Sequence, residues 1–312
     1  MVAYDGVGPV GRRRRWRGRT VWRMDPRPVE LPDSVTLITG QGNLPAVRVE
    51  SARCTGEVYL HGAHVTDWAP SGQDPVIWLS EHSTFVPGRA IRGGIPLSAP
   101  WFADGRTGDM TPAHGWFRTS TWEFTGAQDV DGTVSLAFHL DGADVGHPTI
   151  SADYVVEMGE ELTLELAITT QEPLVLENAL HTYLAVADID AVSVRGLEGC
   201  HYVDKAPGGL PDNIQQGEVT FAGETDRVYT HDGAAQVIDP AAGRLISLTK
   251  SGSSKTVVWN PAVAKSAAMA DFGDEEWRGM MCLEVANALD GVIPLEAGGS
   301  HTMRATYAVA ST

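Results

Sequence analysis

The sequence predicts an all-β protein, a single large antiparallel β-sandwich, on three observations. Apolar and polar residues alternate with a period of two in segment after segment, the pattern of strands with one buried face. Turn formers are abundant, with 34 Gly and 18 Pro among 312 residues. Sustained helical periodicity is nearly absent, and neither a low-complexity linker nor a fixed-length repeat divides residues 30–312. The missing repeat places a sandwich ahead of a propeller.

In chain order, "VSLAFHLDG" (134–142) is the first clear strand, and "YVVEMGEELTLELAI" (154–168) is a hairpin turning at Met158–Glu161. Within "LTLELAITT" (162–170), Leu162, Leu164, Leu166 and Ile168 fall on one face. "LVLENALHTYLAVADI" (174–189) takes its apolar character from Leu174, Leu176, Leu180, Leu184 and Val186, with His181 and Tyr183 on the other face. "AAQVIDPAAGRLISLTKSG" (234–252) and "KTVVWNP" (255–261) repeat the strand–turn theme. "MADFGDEEWRGM" (269–280) is at most a short helical turn. "MMCLEVANALDG" (280–291) sets Met281, Leu283 and Val285 against Cys282, Glu284 and Ala286, and "HTMRATYAV" (301–309) closes the series.

Charge is distributed unevenly. Residues 1–27 hold eight arginines against Asp5 and Asp25, so the net −17 leaves −23 on residues 28–312. Such a body repels nucleic acid and anionic membrane, which excludes a nucleic-acid role outside the basic segment. Residues 1–30 lack apolar periodicity and read as a disordered basic tail before one domain over 31–312. No apolar stretch follows Arg15 as an export signal requires, and Met24 opens more protein-like sequence, so 1–23 reads as an upstream extension. Cys54, Cys200 and Cys282 are scattered and odd in number, which supports neither a disulfide framework nor a zinc knuckle. With no apolar run long enough to span a bilayer, the expectation is a cytoplasmic monomer.

Four stretches could carry chemistry. In "FVPGRAIRGGIPLSAPWF" (85–102), Arg89 and Arg92 precede a Gly93–Gly94 pair that reads as a tight turn letting the backbone pass close beside a ligand, and Arg106 and Arg118 follow. Guanidinium forks suit phosphate; the alternative is pairing with the body's many carboxylates. In "PAHGWFRTSTWEF" (112–124), His114 lies among aromatics that suit either a sugar face or a core. His181 shares its face with Tyr183, though a lone strand histidine is commonly structural. Glu284 interrupts an apolar run: it is either outward-facing, or buried with the raised pKa a base near neutral pH needs. "HGAH" (61–64) puts its histidines on opposite faces of a strand, against a metal site. "SGSSKT" (251–256) lacks the phosphate-loop pattern, and no dinucleotide or G-x-S-x-G motif occurs, so no cofactor is implied.

Seven stretches in order resemble the hexose-6-phosphate mutarotases, or glucose-6-phosphate 1-epimerases, of the aldose 1-epimerase superfamily. They are "GAHVTDWAP", "AIRGGIPL", "HGWFRTSTWEF", "LHTYLAVADI", "GETDRVY", "TVVWNP" with "MADFG", and "MCLEVANA", spread over about residues 35–310. The resemblance implies a galactose-mutarotase-like β-sandwich that interconverts α and β anomers of a hexose 6-phosphate without metal or cofactor. It implies His181 as catalytic acid and Glu284 as catalytic base. It assigns Arg92 and Arg118 to the phosphorylated substrate, Asp226 to a sugar hydroxyl, and His114 to a place beside the ring; Arg89, from the anion reading of its own stretch, is expected to meet the same phosphate. Ala113 departs from the family, where a polar residue is common, and "IPLSAPWFADG" departs from the usual Phe-Pro-x-Phe-Gly. Two alternatives use the same groove: a mutarotase for unphosphorylated sugars, and a non-catalytic carbohydrate-binding protein.

Overall fold

Strands carry nearly all the regular structure of the computed structural model, which describes residues 30–311. The segment read as a basic tail lies outside them except for Glu30. Two large antiparallel sheets form the sandwich. The nine-stranded sheet runs Val219–Thr220, Ser193–Arg195, Ala235–Asp239, Arg244–Ser251, Ser300–Ser311, Glu161–Thr170, Ile150–Met158, Thr133–Asp141, Glu123–Val130. The eight-stranded sheet runs Asn213–Ile214, His201–Asp204, Thr225–Thr230, Lys255–Asn260, Met280–Asn287, Asn178–Leu180, Leu97–Ser98. Its remaining strand, Tyr183–Ala185, also pairs with Met280–Asn287. A four-stranded sheet over residues 35–70 adjoins them.

The alternation read from the sequence decides which residues meet. Leu162, Leu164, Leu166 and Ile168 are fully buried and share one core cluster with Met281, Leu283 and Val285 of the facing sheet. Tyr307 ties the layers by donating its hydroxyl hydrogen to the Leu283 carbonyl at 2.9 Å. The hairpin turns where expected, with Met158 opposite Leu162.

Two elements differ from expectation. The stretch "LVLENALHTYLAVADI" is not one strand: it breaks into Leu174–Leu176, Asn178–Leu180 and Tyr183–Ala185. Its interruption falls at His181 and Thr182, where the Pro96 carbonyl accepts from the His181 amide at 3.1 Å. Helical periodicity missed the one α-helix among the described residues, Ala262–Ala268, whose seven residues are too few to show a period. The strand Met280–Asn287 is buried along its whole length, on both faces. One face looks into the sandwich; Phe102, Val228 and Val257 pack around Ala286 on the other. No helix among the described residues is long and apolar enough to cross a membrane.

Candidate active site

On the outer face of the eight-stranded sheet lies a cavity of about 280 Å³. Arg92, Phe102, His114, His181, Tyr183, Lys205, Asp226, Trp259, Lys265 and Glu284 line it. A larger groove of about 510 Å³, walled by Tyr202, Gln215, Thr220 and Arg227, contains no histidine.

Glu284 sits on the floor because strand alternation turns it away from the core that Leu283 and Val285 enter. Its carboxyl is 1% exposed, so the outward-facing reading falls. Burial, reinforced by Asp226, pushes its pKa well above the carboxylate range. His181 faces it, Nε2 to Oε1 at 3.4 Å. Burial, with Arg118 and Arg92 nearby, pushes that imidazole down to about 3. His181 and Tyr183 share a face despite the broken strand, stacked at 4.9 Å and 10°. Trp78 backs the Tyr183 ring at 5.7 Å and 21°.

His114 is half-buried at the rim with a positive φ of 64°. The Ala103 amide donates to its Nδ1 at 3.4 Å, and Ser98 Oγ lies 3.2 Å from the same nitrogen. An amide can only donate, so Nδ1 accepts and the ring hydrogen sits on Nε2. Burial and Arg118 hold this histidine neutral, its pKa well below the usual value. It therefore offers a fixed N–H donor.

Arg92 reaches the cavity while donating to the Tyr183 hydroxyl at 3.1 Å and pairing with Asp271 at 3.3 Å. Tyr183 and then Asp271 raise its pKa, so it is a permanent cation. Arg118 lies behind the wall: it does not line the cavity, and its Nη2 donates to the Ala113 carbonyl at 2.8 Å. Ala113 thus contributes a main-chain acceptor that does not depend on its side chain. Arg89 is exposed and absent from the cavity lining, because its side chain leaves the turn toward solvent. Arg106 is also exposed.

The Gly93–Gly94 pair has a different reason from the one anticipated, a close passage beside a ligand. Both residues are buried with φ of 95° and 65°. A Cβ on Gly93 would strike Leu79 Cα at 2.7 Å, and one on Gly94 would strike the His64 imidazole and the Val65 carbonyl. The glycines let the turn dock on its own scaffold. The histidines of "HGAH" hold that turn: His61 Nε2 donates to the Arg89 carbonyl at 2.7 Å and His64 Nε2 to the Gly93 carbonyl at 2.8 Å. Burial pushes His64 down to about 3, which keeps it neutral for that bond.

Asp226 lines the cavity as the resemblance implies, its pKa raised by burial against the opposing pull of Lys205 and Lys265. The two lysines went unmarked in the sequence. Lys205 Nζ stands 5.2 Å from the Phe102 ring centre, and Lys265 pairs with Glu224 at 2.7 Å and Asp226 at 3.8 Å. Of the aromatic residues near His114, Phe102 reaches the cavity, whereas Trp116, Phe117 and Trp122 belong to the core. Trp259 supplies the other aromatic wall.

A β-sandwich with an imidazole and a carboxylic acid facing one another under a sugar-sized cavity defines a class of sugar epimerases, and the chain matches the aldose 1-epimerase family over residues 45–308. It belongs to that family. Among curated proteins it is 34% identical over 251 residues to an Escherichia coli protein provisionally named glucose-6-phosphate 1-epimerase, covering 78% of this chain and 84% of that one. A plant relative of the same provisional name, from Cenchrus ciliaris, is 31% identical over 279 residues, 84% of each chain. The fold superposes on the crystal structure of a provisionally assigned mutarotase from Salmonella typhimurium with a TM-score of 0.82, at 27% identity, over 91% of this chain and 97% of the other. At 12% identity, a galactose mutarotase-like protein from Clostridium acetobutylicum still shares the fold, with a TM-score of 0.67 and coverage of 89% and 98%.

Proposed function

We propose that the protein interconverts the α and β anomers of glucose 6-phosphate or a related hexose 6-phosphate, by opening and reclosing the ring. The observation that carries this reading is the 3.4 Å contact between His181 and Glu284 on the floor of the cavity, with Arg92 in its wall. Anomerisation needs one group to take the C1 hydroxyl proton and another to protonate the ring oxygen. Rotation about C1–C2 then exposes the other aldehyde face, and closure reverses both transfers.

Burial disfavours charge on both groups, so in the free pair His181 is a neutral imidazole and Glu284 keeps its carboxyl proton. Passing it across their contact yields a carboxylate base and an imidazolium acid. A phosphate dianion beside Arg92 would offset the cationic field that depresses His181, favouring that arrangement when substrate is bound. His114, through its Nε2–H, and Asp226 are positioned to hold sugar oxygens. Phe102 and Trp259 offer faces for the ring's C–H surface. Arg118 acts from behind the wall through its charge.

The residues to which this reading gives a role all belong to one copy of the chain, so the proposed chemistry asks nothing of a second copy. A hexose phosphate as substrate supports a cytoplasmic setting. The test is anomer-exchange NMR on purified protein. Glu284→Gln and His181→Asn should each slow exchange by about 10²–10⁴-fold, the scale of positioned acid–base groups, while leaving glucose 6-phosphate binding measurable. Full exchange rates in both variants would remove the pair from the mechanism.

A further inference from the structure

Cys282 has no part in that chemistry, yet it stands beside it. It lies two residues before Glu284 on the same strand, shares Glu284's face, and is fully buried. One ligand atom each from Cys282, His181 and Glu284 lie within 4.8 Å of one another, and no other such trio converges among the described residues. Two ligand-capable atoms there, Glu284 Oε2 and His181 Nδ1, are buried without a hydrogen-bond partner.

We propose that Cys282, His181 and Glu284 form a site for a thiophilic divalent cation, Zn²⁺ above all, which occupies the proton-transfer pair and blocks the reaction. A thiolate, an imidazole and a carboxylate form a donor set that zinc favours over harder ions. With bonds of about 2.0–2.3 Å, tetrahedral zinc spaces its ligands about 3.3–3.7 Å apart. The His181–Glu284 separation of 3.4 Å already fits. An inward movement of about an ångström would bring the widest ligand pair into range. The thiol proton of Cys282 and the carboxyl proton of Glu284 both leave to solvent as the Zn–S and Zn–O bonds form. Thiolate and carboxylate then balance the +2 charge, so the buried floor gains no net charge. His181 and Glu284 line the cavity, which supplies access and room for water at the fourth position. The binding site rests on geometry alone; its inhibitory effect rests on the proton-transfer reading.

The experiment titrates chelator-treated full-length protein with Co²⁺ as a spectroscopic probe and follows the thiolate-to-cobalt charge-transfer band. One equivalent should produce the band in the parent protein, and Cys282→Ala should abolish it. In parallel, Zn²⁺ should inhibit anomer exchange, and Cys282→Ala should raise the half-inhibiting concentration at least about tenfold relative to its own uninhibited rate. Absence of the band in the parent overturns the proposal, as does a band or zinc inhibition undiminished in Cys282→Ala. If that variant fails to fold, Cys282→Ser takes its place, with the same two criteria. Calorimetry of glucose 6-phosphate on metal-free protein separately decides the substrate reading. A parent that forms the band but binds no sugar phosphate keeps the metal site and loses the proposed function.

Discussion

Arg92→Ala tests the phosphate assignment most directly. The side chain lines the cavity and is steadied on its other edges by the Tyr183 hydroxyl at 3.1 Å and Asp271 at 3.3 Å. That bracing pre-orients the guanidinium, so binding a phosphate requires little ordering of a long side chain. A charge-assisted hydrogen bond contributes about 1.5–3 kcal/mol, and each decade of affinity takes about 1.4 kcal/mol. Removing Arg92 should therefore lower kcat/KM for glucose 6-phosphate by about 10- to 150-fold. Turnover of unphosphorylated glucose should change far less, because C1 and the ring oxygen meet His181 and Glu284. The assay is anomer-exchange NMR on both sugars, read as the ratio of their kcat/KM values in the parent and the variant. Arg118→Ala should lower the same ratio by less, since Arg118 stands behind the wall. A parent ratio near one, or a ratio unmoved by Arg92→Ala, would refute the reasoning and favour an epimerase of free sugars.

Other outcomes follow from the same geometry. Gly94→Ala combines a left-handed backbone with a methyl group driven into the His64 imidazole. About 2–5 kcal/mol of stability should be lost, seen in calorimetry as a Tm lower by about 3–8 °C. Exchange activity should survive chelator treatment of the parent protein, because the proposed chemistry uses side-chain protons alone; loss on chelation with return on adding a divalent ion would contradict it. Deleting residues 1–23 should leave Tm and exchange rate nearly unchanged, and a large fall in Tm would show that this segment packs on the body.

Much of this was legible in the residues. Period-two alternation at Leu162–Ile168 and Met281–Val285 identifies the two core-facing strands, because each position's partner is another apolar residue of the same pattern. Glu284 was legible as an anomaly in such a run. What alternation cannot encode is distance: His181 and Glu284 are 103 positions apart, and their contact comes from adjacent segments of one sheet. Lys205 and Lys265 carried no signal because each lies off the strands, and only the fold brings them beside Asp226. The Gly93–Gly94 pair was correctly seen as a tight turn but misjudged in purpose. The bodies excluding a side chain there are Leu79, His64 and Val65, none of them adjacent in sequence. His61 and His64 likewise act on backbone carbonyls about 28 residues away, beyond any local pattern.

The strand Met280–Asn287 answers to two masters. Met281, Leu283 and Val285 glue the layers, while Cys282 and Glu284 face the chemistry. A library of every single substitution along it, scored separately for cellular abundance and for turnover per molecule, should therefore separate like the teeth of two interleaved combs. Losses at 281, 283 and 285 would fall on abundance, whereas conservative changes at 284 would spare abundance and abolish turnover. Selection on this strand then acts for unrelated reasons at neighbouring codons, on packing at 281, 283 and 285 and on chemistry at 284.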